Sequence, residues 1–353
     1  MYFDLNKLVR KNILNLKPYS SARDEFSGTA SVFLDANENP LGSALPKGLY
    51  NRYPDPLQKE IKKILAEMEG VLPTQIFLGN GSDEAIDLPI RAFCEPYQDK
   101  ILICPPTYGM YKVSADINAV TAVEVPLNPD FQLDTDKILT TLAQDSHIKI
   151  VFICSPNNPS GNLFSTPSIE AILLNFNGLV IIDEAYIDFC PPDTTWVKQL
   201  NKYPNLLIMK TFSKAWGLAG LRLGMAFGSE EIIKVLNKVK PPYNISSATQ
   251  ELALQALNHW ADKQTMVQEI LAQRALLING LAKNPLVLKI YPSDANFILA
   301  KVSEPYQIYD YLVENEIIVR QRANVQLCEG CLRITVGTQV ENKTLLNALS
   351  KFS

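Results

Sequence analysis

The sequence predicts an α/β fold: a large unit built on a mainly parallel central sheet, followed by a smaller α+β unit. Three observations predict it. The runs "KIVFIC" (149–154), "GLVIID" (178–183) and "NLLIMK" (205–210) are short, unbroken, apolar and largely β-branched. Strands covered by helices on both faces of a parallel sheet read this way. Each run is followed at once by polar or glycine-bearing residues: "SPNNPSG", "DEAY" and "TFSKAWG". Between runs, segments such as "TPSIEAILLNF" (166–176) carry helical spacing.

The elements follow in order. The N-terminal "MYFDLNKLVRKNILNL" has leucines at helical spacing and reads as a docked amphipathic arm. Its charges are spread throughout, so it lacks a secretory apolar core. "QIFLGNGSDEAIDLPIRAF" reads as strand, tight turn, helix, and "KILICPPTYGMYKVSADIN" repeats that order. After the three apolar runs, "VKPPYN" (239–244) is a hinge, because its prolines stop a helix. "SSATQELALQALNHW" and "EILAQRALLINGLA" are helical, and "NFILAK", "IIVRQR" and "CLRITVG" are short strands. The expected division is an arm over 1–30 joining the small unit, a large unit over 31–250 and a small unit over 251–353. In parallel sheets ligands collect beyond the carboxyl ends of the strands, where these polar residues fall.

Composition narrows the function. The chain has 353 residues, 47% of them apolar, and a formal net charge of -4. No basic block stands out, which argues against nucleic acid as a partner. No apolar run approaches the length needed to cross a bilayer, and a cytoplasmic protein is expected. Most of the six cysteines sit in apolar strand-like segments, where a thiol behaves as a small hydrophobe. Cys328 and Cys331 form a lone C-x-x-C and the chain holds two histidines, His147 and His259, so no metal site is expected. Both histidines are expected at the surface.

The chemistry gathers at the strand ends. "GNGSDEAID" follows a strand and opens a helix, a place where backbone N–H groups bind phosphate. Glu84 stands where a dinucleotide fingerprint needs its third glycine. "VIIDEAY" resembles the magnesium-binding strand of an NTPase, but the chain contains no Gly-Lys pair and so no P-loop. Asp183 therefore needs another cation. "TFSKAWGLAGLRLG" places Lys214 and Arg222 in an apolar, glycine-rich stretch, where both are costly to desolvate. A phosphate cradle, a carboxylate, a lysine and an arginine together match pyridoxal 5′-phosphate. Lys214 meets the aldehyde, Asp183 keeps the ring nitrogen protonated, and Arg222 with the helix start holds the phosphate.

These segments resemble signatures of the fold-type I aminotransferases, class II branch. "LKPYSSARDEF", "LDANENP", "NRYPDP", "PPTYGMY", "VKPPYN", "SDANF" and "CLRITVG" extend the resemblance, in order, over about residues 17 to 340. Within that branch they are similar to the enzymes that act on L-histidinol phosphate. The resemblance implies a type I pyridoxal-phosphate-dependent transferase fold and amino transfer between L-histidinol phosphate and 2-oxoglutarate, giving L-glutamate. It makes Lys214 the Schiff-base lysine and proton carrier, and Asp183 the partner of the ring nitrogen. Asn158 and Tyr186 would bond the ring's phenolic oxygen, and Tyr108 would stack on the ring. Gly81, Ser82, Asp83, Ser213 and Arg222 would hold the cofactor phosphate. Tyr53 would reach it from a neighbouring subunit, making the site a property of a homodimer. Tyr19, Arg320 and Arg333 would line the substrate end. Arg320 and Arg322 share a strand face, and the spacing to Arg333 favours Arg320. A threonine-phosphate decarboxylase and an aromatic amino acid aminotransferase of the same fold are the alternatives. A cofactor-binding regulator is disfavoured, because the chain has no basic helix-turn-helix and no spare length.

Overall fold

The structure is a computed structural model that describes residues 3–19, 31–45 and 50–352. Among the described residues seven strands form one sheet: β1 (Ile76–Asn80), β2 (Lys100–Ile103), β3 (Thr121–Glu124), β4 (Ile148–Cys154), β5 (Leu179–Asp183), β6 (Leu206–Thr211) and β7 (Leu223–Gly228). Their order is β1-β7-β6-β5-β4-β2-β3. The β2–β3, β2–β4, β4–β5 and β5–β6 pairs are parallel. β7 runs antiparallel to both its neighbours, β1 and β6. The three apolar runs therefore form adjacent strands of a mostly parallel sheet, as expected. β7 is not among the strands expected from the sequence; its segment "LGMAFG" carries two glycines.

Both faces of this sheet are covered, which explains why its central strands lack alternation. Val180, Ile182, Leu206 and Ile208 face one core layer, with Ile61, Leu65, Ile138, Ile169 and Ile172 from the helices on that side. Leu179, Ile181, Leu207 and Met209 face the other, with Ile86, Tyr111, Ile232 and Leu236. Successive strand side chains point to opposite faces. Asp183 therefore continues the 179–181 face toward Tyr111, and Lys210 continues the 206–208 face, where its Nζ meets the Glu69 carboxylate at 2.7 and 2.9 Å.

A second sheet of four antiparallel strands has the order β10-β11-β9-β8: β8 (Val287–Ile290), β9 (Phe297–Val302), β10 (Arg320–Gln321) and β11 (Cys331–Thr335). Its core takes Leu277 and Leu281 from helix Trp260–Leu281, Ile308 and Leu312 from helix Pro305–Glu314, and Leu345 and Leu349 from helix Gln339–Lys351. The expected division at 250/251 falls inside helix Ser247–Leu257, whose Ala253 and Leu257 belong to the large unit's core.

The N-terminal residues differ from expectation. Two short helices, Leu5–Leu8 and Lys11–Leu14, lie on the large unit rather than joining the small one. Leu8 and Val9 are buried in the layer with Ile232 and Ala92. Arg10 donates to the Arg91 carbonyl at 2.8 Å and pairs with Glu95 at 3.1 Å. The expected arm also includes residues 20–30, which lie outside the described residues.

Candidate active site

The parallel strands of the large sheet end on one edge. There β1 leads into helix Gly81–Phe93, β2 into Thr107 and Tyr108, β4 into Asn158, β5 into Asp183 and Tyr186, and β6 into Ser213 and Lys214. Because β7 is antiparallel, its starting end lies on this same edge, and that is what brings Arg222 there. A cavity of about 780 Å³ opens at this edge. Ser82, Asp83, Tyr108, Asn158, Asp183, Tyr186, Ser213, Lys214 and Arg222 line it, together with Arg320, Arg322 and Arg333 from the second sheet.

Asp183 is 4% exposed. Its Oδ2 accepts a 2.6 Å hydrogen bond from the Tyr111 hydroxyl, and its Oδ1 accepts from the Ala185 backbone N–H at 3.0 Å. Burial pushes this carboxyl above its ordinary range, while the bonds from Tyr111 and Ala185 oppose the shift. A buried carboxylate in this state favours a cationic partner in the cavity. Tyr111 is itself fully buried and stacks on Phe152, with ring centroids 4.7 Å apart. Sequence reasoning missed it, although it lies three residues after the candidate Tyr108, whose ring it meets edge to face at 5.6 Å.

Lys214 extends over the Tyr186 ring, its Nζ 5.5 Å from the centroid. Burial lowers its ammonium below the ordinary lysine range, and the Arg333 charge lowers it further. Both effects enlarge the neutral, nucleophilic fraction. Asn158 Nδ2 donates to the Tyr186 hydroxyl at 3.5 Å, and Arg333 Nη1 donates to Asn158 Oδ1. Arg333 also lies over the Phe297 ring at 5.3 Å. Asn158, Tyr186 and Arg333 thus form one connected group.

The start of helix Gly81–Phe93 lies against Arg222. Gly81 has φ +73°, and a Cβ there would come within 2.7 Å of Arg222 Nη2. Its N–H donates to the Arg222 carbonyl at 2.7 Å. A Cβ on Gly224 would come within 2.3 Å of the Ser82 nitrogen. Two glycines therefore let the guanidinium and the helix start approach each other, which suits an anion held by both. Asp83 differs from the sequence expectation in its side chain. Its Oδ2 pairs with Arg222 Nη2 at 3.0 Å and its Oδ1 accepts from the Tyr108 hydroxyl at 3.4 Å. An ionised carboxylate only accepts, so it cannot grip a phosphate; it aims Arg222 and Tyr108 instead.

Two predicted residues stand apart from this cavity. Tyr19 is 75% exposed and follows the segment docked on the large unit's outer face. The structure does not bring it to the cavity. Tyr53 is 51% exposed, stacks on Tyr243 at 4.4 Å, and lines a separate cavity of about 690 Å³ with Tyr50 and Arg52. Arg322, the disfavoured member of the "VRQR" pair, lines the main cavity alongside Arg320.

A family model described as aminotransferase class I and II matches residues 15–349. The chain belongs to this family. A histidinol-phosphate aminotransferase of Cytophaga hutchinsonii is 56% identical to this aminotransferase over 353 residues, 100% of both chains. Among solved structures, the histidinol-phosphate aminotransferase from Clostridium acetobutylicum superposes with a TM-score of 0.79 at 26% identity, covering 85% of this chain and 90% of that one. The one from Sinorhizobium meliloti, in complex with pyridoxal-5′-phosphate, gives 0.79 at 24% identity, covering 90% and 89%, a likeness of fold. No helix among the described residues of the aminotransferase is long and apolar enough to cross a membrane.

Proposed function

We propose that this aminotransferase converts L-histidinol phosphate and 2-oxoglutarate to 3-(imidazol-4-yl)-2-oxopropyl phosphate and L-glutamate, a step of L-histidine biosynthesis in the cytoplasm, with pyridoxal 5′-phosphate as cofactor. The observation that carries the reading is the polarity of one cavity. An amine and a buried carboxylate sit over the strand ends, and guanidiniums with no carboxylate partner among the described residues sit opposite. The full-length similarity to relatives named for this reaction supports it.

The donor set fits the cofactor. Arg222, Ser213 and the N–H groups of Ser82 and Asp83 hold the phosphate, with Gly81 leaving room for it. Asp183 faces the ring nitrogen, Tyr108 the ring face, and Asn158 with Tyr186 the phenolic oxygen. The bound cofactor supplies an electron-accepting ring that stabilises negative charge at the substrate Cα.

The chain's own residues do the rest. Asp183 keeps a proton on the ring nitrogen, where Tyr111 and the Ala185 N–H steady the carboxylate. Once the incoming amine has taken its place on the cofactor, Lys214 would take the Cα proton on its neutral Nζ and return it on the carbon across the substrate nitrogen, a 1,3 shift that leaves the amino group behind. Burial and the Arg333 charge lower its ammonium below the ordinary lysine range, which enlarges the neutral fraction able to take that proton. Arg320 and Arg333 grip a carboxylate in one half-reaction and a phosphate in the other, since a guanidinium fork suits both.

The working unit is proposed to be a homodimer. Tyr53 stands outside its own chain's cavity, exposed and braced by Tyr243, which supports Tyr53 of the partner subunit reaching the cofactor phosphate. Tyr19 is proposed at the substrate end only in that assembly.

The test is a pair of half-reactions. The holoenzyme is mixed with L-histidinol phosphate and, separately, with O-phospho-L-threonine. Loss of the yellow absorbance with release of a phosphorylated ketone from the first supports the reading. Carbon dioxide from the second, without ketone from the first, replaces it with a decarboxylase.

A further inference from the structure

We propose that Arg322 is a third guanidinium of the substrate pocket, and that it selects a doubly charged phosphate monoester over a carboxylate. The inference rests on the proposed function and extends it to a residue that the sequence treats only as a rival of Arg320.

β10 pairs antiparallel with β11 in a register that sets Arg320 against Arg333. Arg322 lies two residues along from Arg320, on the same strand face. Its backbone is fixed by the N–H that donates to the Cys331 carbonyl at 2.9 Å. All three arginines line the one cavity. Sequence alternation offers Arg320 and Arg322 as alternatives; the pocket uses both.

Their surroundings differ. Arg333 is held in place: it donates to Asn158 and rests on the Phe297 ring. Arg320 is exposed at the mouth. Arg322 is half-buried, and its Nη1 donates a long, 3.4 Å hydrogen bond to the Gln321 carbonyl. No carboxylate among the described residues pairs with Arg320, Arg322 or Arg333; the acids lining the cavity are Asp83 and Asp183. Burial, then the charges of Arg333 and Arg320, lower the Arg322 guanidinium below its ordinary range. Three like charges gathered in a partly desolvated pocket are destabilising until an anion arrives.

The charge of the anion decides what the third cation does. A substrate carboxylate carries one negative charge and two oxygens, which Arg320 and Arg333 satisfy between them. A phosphate monoester carries nearly two near neutral pH, with its second ionisation near pH 6, and has three strong acceptor oxygens. Arg322 supplies the additional fork, so it contributes in the phosphate half-reaction more than in the glutamate half-reaction.

The test compares half-reactions of the parent holoenzyme and Arg322→Gln. The ratio of kcat/KM for L-histidinol phosphate to that for L-glutamate falls by at least about tenfold, mainly through KM for the phosphate substrate. In the parent, that KM falls as pH rises through the substrate's second phosphate ionisation; in Arg322→Gln the fall is largely lost. Arg322→Lys recovers part of both. Equal losses in the two half-reactions, or an unchanged pH dependence, overturn the inference. Inorganic phosphate is a second probe that does not depend on the substrate's identity. It competes with glutamate in the parent and at least about tenfold more weakly in Arg322→Gln; equal competition overturns the inference. A parent that ignores L-histidinol phosphate while phosphate still competes through Arg322 refutes the proposed substrate and leaves the anion site standing.

Discussion

The Tyr111 hydroxyl donates a 2.6 Å hydrogen bond to Asp183 Oδ2, and both groups are buried. The phenol sits where β5 aims its last side chain, on the face of the sheet covered by helix Met110–Ile117. It is therefore a positioning residue for the carboxylate proposed to face the cofactor ring. Tyr111→Phe keeps the stack on Phe152 and removes only the donor. Burial then acts on Asp183 with less opposition, so its carboxyl range rises further. The acid limb of the pH–rate profile moves to higher pH, and kcat/KM falls about tenfold, corresponding to roughly 1–2 kcal/mol. A profile superimposable on the parent's would show that Asp183 does not need the phenol.

Arg333 is expected to act twice. Arg333→Ala loses about a hundredfold or more in kcat/KM for L-histidinol phosphate, roughly 3 kcal/mol. It also relieves the charge that helps lower the Lys214 ammonium. In cofactor-free protein, the pH at which cyanate modifies Lys214 therefore shifts upward in the variant. A loss below about threefold, or an unmoved modification profile, would separate Arg333 from the site.

Gly81 carries a steric prediction. Alanine there puts a Cβ 2.7 Å from Arg222 Nη2 on a backbone with φ +73°. The left-handed conformation alone costs about 1–2 kcal/mol. Displacement of the guanidinium adds a loss of cofactor affinity, expected at about tenfold or more when fluorescence follows the titration of cofactor-free protein. Undiminished affinity would mean that Arg222 and the helix start do not share the phosphate.

Glu184 makes a pH prediction. This neighbour of Asp183 is buried on the opposite face of the sheet edge, where it accepts from Thr195 Oγ1 and the Trp196 N–H, both at 2.6 Å. Burial raises its carboxyl from 4.5 to about 7. The folded chain then binds a proton that the unfolded chain has released, so stability declines as pH rises from about 4.5 through about 7. Glu184→Gln is expected to flatten the fall in Tm across that window, measured by calorimetry. An unchanged slope would show that Glu184 does not titrate there.

Much of this site is legible in the sequence, because its chemistry sits directly after apolar runs. "VIID" and "LLIMKTFSK" give both the strand and the residue at its end, so the residue order alone names Asp183 and Lys214. What escapes depends on contacts between distant segments. Tyr111 reads as a core aromatic, since its role appears only when β5 lies beside helix Met110–Ile117. Asp83 reads as part of a phosphate loop, since the loop's backbone and its side chain do different work. β7 carries two glycines and lacks the unbroken apolar run of β4, β5 and β6, yet Gly224 is glycine because the Ser82 nitrogen leaves no space for a Cβ. Alternation along "VRQR" places Arg320 and Arg322 on one face, but only the register with Arg333 turns that face toward the cavity.

The central claim is that one cavity converges the Lys214 amine, the Asp183 carboxylate and the Arg222 anion cradle on a single cofactor. Borohydride reduction of the pyridoxal-phosphate-loaded protein, followed by peptide mapping, tests it most directly. One reduced cofactor per chain, attached at Lys214 Nζ, is the predicted result. Attachment at another lysine, or no attachment, would contradict it.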